Sequence, residues 1–361
     1  MYTELANLCI ERDRTILDAV ARMDRNRQGI ILIVDGEGRL TGTVTDGDVR
    51  RAILSKVDFN LPIATLVAQK AGSAYASPIT ASIDADRAEM FALIKKHGIV
   101  QLPLIDADRR VKGLVTADEF ATTPLPKLRA VVMAGGAGTR LRPLTDQTPK
   151  PMLPVGDRPL MEHIIDRLRD AGITRVNLST HHISEKISEH FGDGTKFGVE
   201  LSYLSEDRPL GTAGALAGLE RSSETLLVMN GDILTDVDFR AMAQFHREHK
   251  ADLTVAVRVH DITMPYGVVE SDGVFVTKLT EKPVVKFFVN AGIYLIEPAM
   301  CAFVPPGERF DMTDLIQRLL DEKRVVANFP IREYWLDIGQ HADYERAQQD
   351  IQQLSTRTGD E

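Results

Sequence analysis

Cysteine and long apolar runs are both scarce in this sequence. Cys9 and Cys301 are its two cysteines, so neither a disulfide framework nor a CxxC metal motif can be present. No apolar run approaches the roughly 18 residues of a membrane span. The N-terminus has acidic residues where a secretion signal would be basic, and no apolar stretch follows them. We therefore expect a soluble, cytoplasmic protein with no membrane partner.

Positive charge is also in deficit. The chain has 43 lysines and arginines against 52 aspartates and glutamates, a net charge of −9, and no basic cluster offsets it. This balance argues against a nucleic-acid partner. A hydrophobic content of 43% and a length of 361 residues suit a globular protein of two or three domains.

The first 120 residues contain a twofold repeat with an offset of 71 positions. Residues 33–48 align with residues 104–119, and each copy is typical of a strand, a tight turn, a strand and a helix opened by Thr45 or Thr116. Helical stretches precede the copies at 16–26 and 87–97. A repeat of this period predicts duplicated units that bury their faces against each other.

Gly42, Thr45 and Asp48 fit the pattern of a glycine, two residues, Thr or Ser, two residues and Asp. The repeat therefore resembles paired cystathionine-β-synthase-type (CBS) modules. The resemblance implies a regulatory adenine or guanine nucleotide held by Thr45 and Asp48, and by Thr116 and Glu119 in the second copy, where Glu replaces the usual Asp. It also implies a homo-oligomer formed through these modules. Helix capping explains the same residues equally well, so both interpretations stand.

Two prolines within three residues interrupt the chain after the repeat, in Thr122-Thr123-Pro124-Leu125-Pro126-Lys127. Such a segment suits a stiff, extended linker. We predict a tandem module over 1–121, with copies at about 1–58 and 74–121, a linker over 122–127 and a second domain over 128–354.

Strand patterns alternate with helical patterns from residue 128 onward. This alternation predicts an α/β domain with a Rossmann-like, mixed and mostly parallel sheet covered on both faces. The predicted strands are 130–133, 175–179, 200–203, 225–229, 253–258, 292–296 and 325–329. The predicted helices are 160–171, 183–191, 212–219, 239–249, 314–320 and 342–353. Ligands of such sheets lie beyond the carboxyl ends of the strands.

A glycine-rich turn follows the first of these strands. Glycines let backbone N–H groups approach an anion closely, and nearby cations supply the charge that a triphosphate needs. The spacing fits neither the P-loop nor the dinucleotide fingerprint. The residues concerned are Gly135, Gly136, Gly138, Thr139, Arg140, Arg142 and Lys150.

Several separated motifs make this region resemble the sugar nucleotidyltransferases of the mannose-1-phosphate guanylyltransferase type. They are Gly135 to Leu141, Pro149-Lys150-Pro151, Leu210 to Leu216, Asn230-Gly231-Asp232, Glu281-Lys282-Pro283, Asn290-Ala291-Gly292 and Trp335 to Gly339. The resemblance implies that a sugar 1-phosphate attacks the α-phosphorus of a nucleoside triphosphate and releases pyrophosphate, with Mg²⁺ as cofactor.

The resemblance also implies a role for each residue. Nucleotide binding falls to Gly135, Gly136, Gly138, Thr139, Glu206, Gly211 and Thr212. Metal binding falls to Asp232 and Asp337. Sugar-phosphate binding falls to Tyr266, Gly267, Glu281, Lys282, Asn290 and Gly292. The catalytic set is Arg140, Lys150, Asp232 and Lys282.

Ordinary structural roles compete with several of these assignments. Asp232 also suits a turn, and Asp337 also suits a helix N-cap. Lys282 also suits a surface ion pair. Glu206 suits either acceptance from a guanine base or a solvated loop, and Arg142 suits a solvated surface.

A CBS pair joined to a compact transferase resembles guanylyltransferases that make GDP-sugars for surface glycans or nonulosonic acids. We therefore expect GTP and a sugar 1-phosphate as partners, with GDP-glucosamine or GDP-mannose as product. The alternative is a catalytically inactive, nucleotide-sensing subunit. The intact set of predicted charged residues favours the enzyme.

Overall fold

The computed structural model describes residues 1–358 apart from 74, 121–127, 137, 182–183 and 221. The chain divides into two compact units, Met1–Pro124 and Leu125–Glu361. The predicted linker 122–127 lies outside the described residues. Among the helices that are described, none is both long and apolar enough to cross a membrane.

In its described residues, the first unit contains two small sheets and five helices. Its strands are β1 (Cys9–Glu11), β2 (Ile30–Val34), β3 (Leu40–Thr45), β4 (Ala81–Ser82), β5 (Gln101–Ile105) and β6 (Val111–Thr116). Its helices are α1 (Leu5–Leu8), α2 (Ile16–Asn26), α3 (Asp46–Leu54), α4 (Ala64–Gln69) and α5 (Arg87–His97). In each sheet the middle strand is parallel to the first strand and antiparallel to the third.

The predicted repeat is confirmed, with one difference between its copies. Helices α2 and α5 precede equivalent hairpins, and Thr45 caps α3 as expected. Thr116 is followed by a four-residue 3-10 turn, Ala117–Phe120, where we predicted a helix. Pro124 and the β-branched residues before it in the sequence disfavour a longer helix.

The second unit contains thirteen strands and five helices in the described residues. Its strands are β7 (Leu128–Met133), β8 (Pro154–Val155), β9 (Arg158–Pro159), β10 (Arg175–Thr180), β11 (Glu200–Ser205), β12 (Thr225–Asn230), β13 (Ile233–Thr235), β14 (Leu253–Thr263), β15 (Val268–Asp272), β16 (Phe275–Thr280), β17 (Val284–Ile296), β18 (Val326–Pro330) and β19 (Trp335–Asp337). Its helices are α6 (Leu160–Asp170), α7 (Ser184–Phe191), α8 (Phe239–Glu248), α9 (Met312–Asp321) and α10 (His341–Thr358).

A seven-stranded sheet in the order β11-β10-β7-β12-β17-β14-β18 forms the centre of the second unit. The first four strands are parallel, and β17 is antiparallel to both of its neighbours. Side chains alternate between two buried clusters: Val132 packs on the face that α6 and α8 cover, and Val131 packs on the face that α9 covers. The predicted mixed, mostly parallel sheet is confirmed.

Several segments differ from the prediction, including the short strands β8, β9, β13 and β19, which we did not predict. Residues 212–219 do not form the predicted helix but a 3-10 turn over Gly214–Gly218, because closely spaced glycines disfavour an α-helix. Strands β14 and β17 extend far beyond the predicted ranges and, with the hairpin β15–β16, form a projection that we did not predict. We call residues 258–289 the arm.

Candidate active site

The glycine-rich turn and the Asn-Gly-Asp motif lie side by side at the carboxyl edge of the sheet. Strands β7 and β12 are parallel neighbours, and the Gly231 N–H donates to the Met133 carbonyl at 2.8 Å. A Cβ at Gly231 would lie only 2.9 Å from that carbonyl oxygen, so glycine is required there. The sheet therefore brings the two motifs to the edge where ligands of α/β proteins bind.

Lys150, Asp232 and Asp337 form what we call the strand-edge cluster. The Lys150 Nζ donates to Asp232 Oδ2 at 2.5 Å, and the lysine side chain is only 10% exposed. Antiparallel pairing of β13 with β19 sets Ile233 opposite Asp337, and the Ile338 N–H donates to the Asp232 carbonyl at 2.9 Å. Two carboxylates more than 100 positions apart in sequence therefore become neighbours.

The electrostatics of the strand-edge cluster favour a bound cation. Partial burial raises the pKa of Asp337, and the charge of Asp232 raises it further, while Lys150 and Arg140 oppose the change. The net result is a pKa above the usual value, because ionising two adjacent carboxylates is unfavourable without added positive charge. Perturbation of this kind is typical of functional sites.

The donor set fits Mg²⁺. Asp232 Oδ1 is buried, and within the described part of the chain it has no hydrogen-bond partner. Leaving such an oxygen unsatisfied is costly, and a hard cation with oxygen ligands would satisfy it. The described residues contain no cluster of three or more His, Cys, Asp or Glu that could hold a metal. Two carboxylates with substrate phosphates suit the usual habits of Mg²⁺.

The structure supports the turn role of Asp232 but not the helix N-cap role of Asp337. Asp232 does lie in a turn, so that role accompanies its place in the cluster. Asp337 ends strand β19, and α10 begins only at His341, so the helix-cap alternative is wrong.

Gly138 packs the glycine-rich turn against the base of Lys150. It has a φ of +61°, and a Cβ there would lie 2.8 Å from Thr145 Cγ2 and 3.3 Å from Lys150 Cβ. The Thr145 hydroxyl donates to the Gly138 carbonyl at 2.8 Å. Thr139 and Arg140 open a 3-10 turn and are both exposed. The buried lysine is thus fixed, whereas the arginine faces solvent.

A third acid, Asp343, lies close to the cluster and was missed from the sequence. A Cβ at Gly339 would lie 3.6 Å from Asp337 Oδ1, 3.6 Å from Asp343 Oδ2 and 3.7 Å from Arg140 Nη1. Asp343 also accepts from the Gln340 N–H at 2.9 Å, at the start of α10. The sequence signal for Asp343 was its position three residues after Gln340 at the start of a predicted helix, which is the spacing of a capping box.

Arg142 lies apart from these groups. Its side chain is 64% exposed and pairs with Asp146 at 3.4 Å. The solvated-surface alternative therefore describes it.

Glu206 is buried, so the solvated-loop alternative is wrong. Its carboxylate accepts from the Ser179 hydroxyl and, at 2.8 Å, from the Leu210 N–H. Its carbonyl oxygen accepts at 2.7 Å from His181 Nδ1, which must therefore carry a proton. A Cβ at Gly135 would lie 3.4 Å from the His181 Cβ. Ser179 ends the predicted strand 175–179 and His181 follows it by two positions, but we assigned neither residue to the site.

The segment after Glu206 is tied to the start of α9. Thr212 receives a hydrogen bond from the Met312 N–H at 2.8 Å and donates its own N–H to Asp311 at 3.0 Å. Gly211 has a φ of +81°, and a Cβ there would lie 2.7 Å from the Phe310 carbonyl oxygen. These contacts hold the predicted nucleotide-binding segment in one conformation.

Part of the predicted sugar-phosphate set lies beside the cluster. Gly292 has a φ of +68°, and a Cβ there would lie 2.7 Å from Asn230 Nδ2. The Asn290 side chain accepts from the Gly292 N–H at 2.9 Å and donates to the Tyr294 hydroxyl at 2.7 Å. Burial raises the pKa of Tyr294 to about 12. Asn290 and Gly292 therefore shape the backbone next to Asp232.

The rest of that set lies on the arm. A Cβ at Gly267 would lie 2.9 Å from Glu281 Oε2, and the neighbouring Tyr266 is 74% exposed. Lys282 has a φ of +43° and, within the described residues, joins no ion pair. Strand β17 runs six residues from Val284 to Asn290, about 20 Å at the usual rise. Lys282 therefore lies on the arm, two positions before β17 begins, and its assignment to the sugar phosphate stays a prediction.

In the first unit, Thr45 and Asp48 form a capping box on α3. Asp48 accepts from the Thr45 N–H at 2.8 Å, and its carboxylate also pairs with Lys70 and, at 2.6 Å, with Arg51. Burial opposes ionisation of Asp48, but the Lys70 charge and these hydrogen bonds outweigh it and lower its pKa. The capping alternative thus describes these two residues in the structure.

The equivalent residues of the second copy, Thr116 and Glu119, make a longer contact. Glu119 accepts from the Thr116 N–H at 3.2 Å, ahead of a single 3-10 turn. The longer Glu side chain therefore reproduces part of the capping contact.

Known families match both units. The family described as "Nucleotidyl transferase" matches residues 129–354, and the CBS domain matches residues 5–55 and 75–123. These matches confirm the two resemblances that the motifs indicated.

Curated relatives share the second unit. The chain is 35% identical over 232 residues to a mannose-1-phosphate guanylyltransferase of Mycobacterium tuberculosis, covering 62% of this chain and 64% of the relative. It is 33% identical over 242 residues to a UTP–glucose-1-phosphate uridylyltransferase of Synechocystis, covering 61% of this chain and 62% of the relative. The matched region thus spans less than two thirds of each relative.

A solved structure also aligns with this chain. It is a proposed glucose-1-phosphate thymidylyltransferase from Bacillus anthracis in complex with a sucrose, 26% identical, with a TM-score of 0.51. The alignment covers 61% of this chain and 94% of the other.

Proposed function

We propose that this chain, which belongs to the nucleotidyl transferase family and carries two CBS domains, transfers a nucleotidyl group to a sugar 1-phosphate. An oxygen of the sugar phosphate attacks the α-phosphorus of a nucleoside triphosphate. The bond from the α-phosphorus to the bridging oxygen breaks, and pyrophosphate leaves with its electron pair. The observation that carries the proposal is the strand-edge cluster beside the glycine-rich turn.

Positively charged groups supply most of the stabilisation that this reaction needs, because two polyanions must be brought together. Lys150 has three N–H donors and uses one on Asp232, so two are available to the triphosphate. The exposed Arg140 guanidinium suits the leaving pyrophosphate. Asp232 and Asp337 would hold Mg²⁺, which when bound supplies further charge and orients the phosphates. The attacking phosphate is already ionised, so it needs no general base.

We further propose GTP as the donor and a GDP-sugar, GDP-glucosamine or GDP-mannose, as the product. The name of the Mycobacterium tuberculosis relative supports guanylyl transfer, and that of the Synechocystis relative supports the uridylyl competitor. We assign to the CBS pair an adenine or guanine nucleotide that regulates the reaction.

A panel of substrates tests the proposal. We expect the full chain with Mg²⁺ to release pyrophosphate from GTP with glucosamine 1-phosphate or mannose 1-phosphate, faster than from UTP, dTTP, ATP or CTP. Faster release from UTP would show that UTP rather than GTP is the donor, and it would leave the proposed reaction unchanged. No release from any pair, with GTP still bound in calorimetry, would contradict the reaction and favour a nucleotide sensor.

The CBS assignment has its own test, because AMP is not a substrate of the reaction. We expect calorimetry of the full chain to show AMP binding that Asp48→Ala weakens at least tenfold. If neither AMP, ATP nor GMP gives a heat of binding beyond that of the catalytic site, the CBS assignment is contradicted. Lys70 and Arg51 already occupy the Asp48 carboxylate, so binding must displace them.

A further inference from the structure

Helix α10 contacts both ends of the segment that carries Lys150. We call this segment, residues 142–156, the lysine loop. At its first end, Nε2 of His341 lies 2.9 Å from the Arg142 carbonyl oxygen. A carbonyl oxygen only accepts, so this ring nitrogen carries a proton and donates to it. The side chain of the first residue of α10 therefore holds the backbone at the start of the loop.

The second end of the lysine loop packs closely on the same helix. The Tyr344 hydroxyl and the Gln348 amide nitrogen both donate to the Pro154 carbonyl at 2.6 Å. The Gln348 amide oxygen accepts from the Gly156 N–H at 2.9 Å. Gly156 has a φ of +69°, and a Cβ there would lie 2.9 Å from Ile351 Cγ2. A side chain at this position would therefore push the loop away from the helix.

Helix α10 is itself anchored in the second unit. Ala347 is fully buried in the cluster on the face that α6 and α8 cover, and Tyr344 and Ile351 pack against that cluster. These positions have the spacing of one helix face. The Tyr334 hydroxyl also donates to Asp350 at 2.7 Å. The helix thus has a fixed position from which its first turn meets the lysine loop.

The residues that lead into α10 lie beside the predicted phosphate-binding groups. Asp337 ends β19, four positions before His341. A Cβ at Gly339 would lie 3.7 Å from Arg140 Nη1, so the arginine lies next to this short connection. Arg142 caps the 3-10 turn that contains Arg140. The hydrogen bond from His341 therefore holds the turn from which the Arg140 side chain extends.

We propose that His341 is a positioning residue for the triphosphate: by holding the Arg142 carbonyl, it fixes the backbone from which Arg140 reaches the leaving pyrophosphate. The proposal rests on the proposed function, which assigns that role to Arg140. His341 acts through the turn and not on the reacting atoms. A fixed backbone leaves an exposed arginine less conformational freedom to lose when the triphosphate binds.

Steady-state kinetics of the full chain with Mg²⁺, GTP and mannose 1-phosphate or glucosamine 1-phosphate test the proposal. We expect His341→Ala to raise KM for GTP about fivefold, which corresponds to one net hydrogen bond, and to leave KM for the sugar 1-phosphate unchanged. His341→Gln keeps an N–H donor, so it should restore most of the loss. If the substrate panel selects UTP, the same comparison is made with UTP.

Glu345→Ala is the matched control, because Glu345 is an exposed residue of the same helix. We expect it to leave both KM values unchanged. Alanine is the best helix former, so a loss in His341→Ala cannot come from a weaker helix. An equal rise of both KM values in His341→Ala and Glu345→Ala would show a general effect of the helix and overturn the proposal.

Hydrogen exchange provides a readout that needs no turnover. The Leu141 N–H donates to the Gly138 carbonyl at 2.9 Å, and the Leu144 N–H donates to the Leu141 carbonyl at 3.0 Å. We expect a peptide that spans these amides to exchange about threefold faster in His341→Ala than in the wild type or His341→Gln, because the turn opens more easily.

Two results would overturn the role of His341: unchanged exchange in His341→Ala, or a wild-type KM for the triphosphate in an active His341→Ala enzyme. A wild-type chain that releases no pyrophosphate would instead contradict the proposed function. Calorimetry of GTP binding would then replace KM as the measure of how His341 affects the triphosphate.

Discussion

The strand-edge cluster and the arm hold the two parts of the predicted site, and they are built in opposite ways. Lys150 is nearly buried, is packed against Gly138 and is hydrogen-bonded to Asp232. Tyr266 and Lys282 are exposed on a ribbon that a single strand pair supports. Charge stabilisation requires groups that are fixed in advance, so the cluster belongs in the sheet. Exposed connections vary more easily, so the arm is suited to substrate selection.

Replacement of Lys150 should have the largest effect. Lys150→Met removes the cation that pairs with Asp232, and we expect the rate of pyrophosphate release to fall about 10³-fold. Lys186→Met is the matched control, because Lys186 is an exposed lysine that donates to the Gln147 carbonyl. Equal rates in the two variants would remove the basis for placing the chemistry at the cluster.

Asp337→Asn should lower activity about 10²-fold and yet stabilise the metal-free fold. The pKa of Asp337 is raised, so its ionised form destabilises the folded state above the usual carboxyl pKa. That penalty disappears as the pH falls and the group is protonated. Thermal unfolding in EDTA should therefore show a higher Tm for the variant at pH 7.5 than for the wild type, and a smaller difference near pH 4. A lower Tm at neutral pH would contradict the electrostatic description.

Asp343→Asn should change pH dependence more than rate. Its negative charge raises the pKa of Asp337, so its removal should shift the acidic limb of the kcat/KM profile to lower pH. The change in kcat at pH 8 should be less than tenfold, since Asp343 is placed beside the cluster rather than in it. A shift of the limb to higher pH would refute this assignment.

Lys282→Met should have the smallest effect in this series. Because Lys282 lies on the arm, we expect kcat to be nearly unchanged and KM for the sugar 1-phosphate to rise less than about threefold. A loss as large as that of Lys150→Met would show that the arm bends towards the cluster, and the contrast between the two regions would fail.

The sequence allowed us to predict the cluster's position better than its composition. The glycines after β7 and the Asn-Gly-Asp motif after β12 both follow buried strands, so we predicted that they lie at one sheet edge, and the structure places them there. The neighbourhood of Asp232 and Asp337 depends on pairing between β13 and β19, which local periodicity cannot reveal. Asp343 was missed because its charge acts through that same long-range pairing.

The arm shows a different limitation. Asp272-Gly273 between Val- and Phe-containing segments is a hairpin signal, and Gly273 has a φ of +59°. We assigned the motifs around it to sugar-phosphate binding and predicted no strand between residues 258 and 292. The exposure of both faces of a valine-rich ribbon is a tertiary property, and β-propensity alone does not reveal it.

A Mg²⁺ titration of the wild-type chain and of Asp232→Asn, with pyrophosphate release from GTP and a sugar 1-phosphate as the readout, tests the central claim most directly. We expect release by the wild type to rise to saturation with Mg²⁺ and to stop in EDTA, while the folded variant stays inactive at every concentration. Release without any divalent metal, or an active Asp232→Asn variant, would contradict a metal-assisted triphosphate site at the strand-edge cluster.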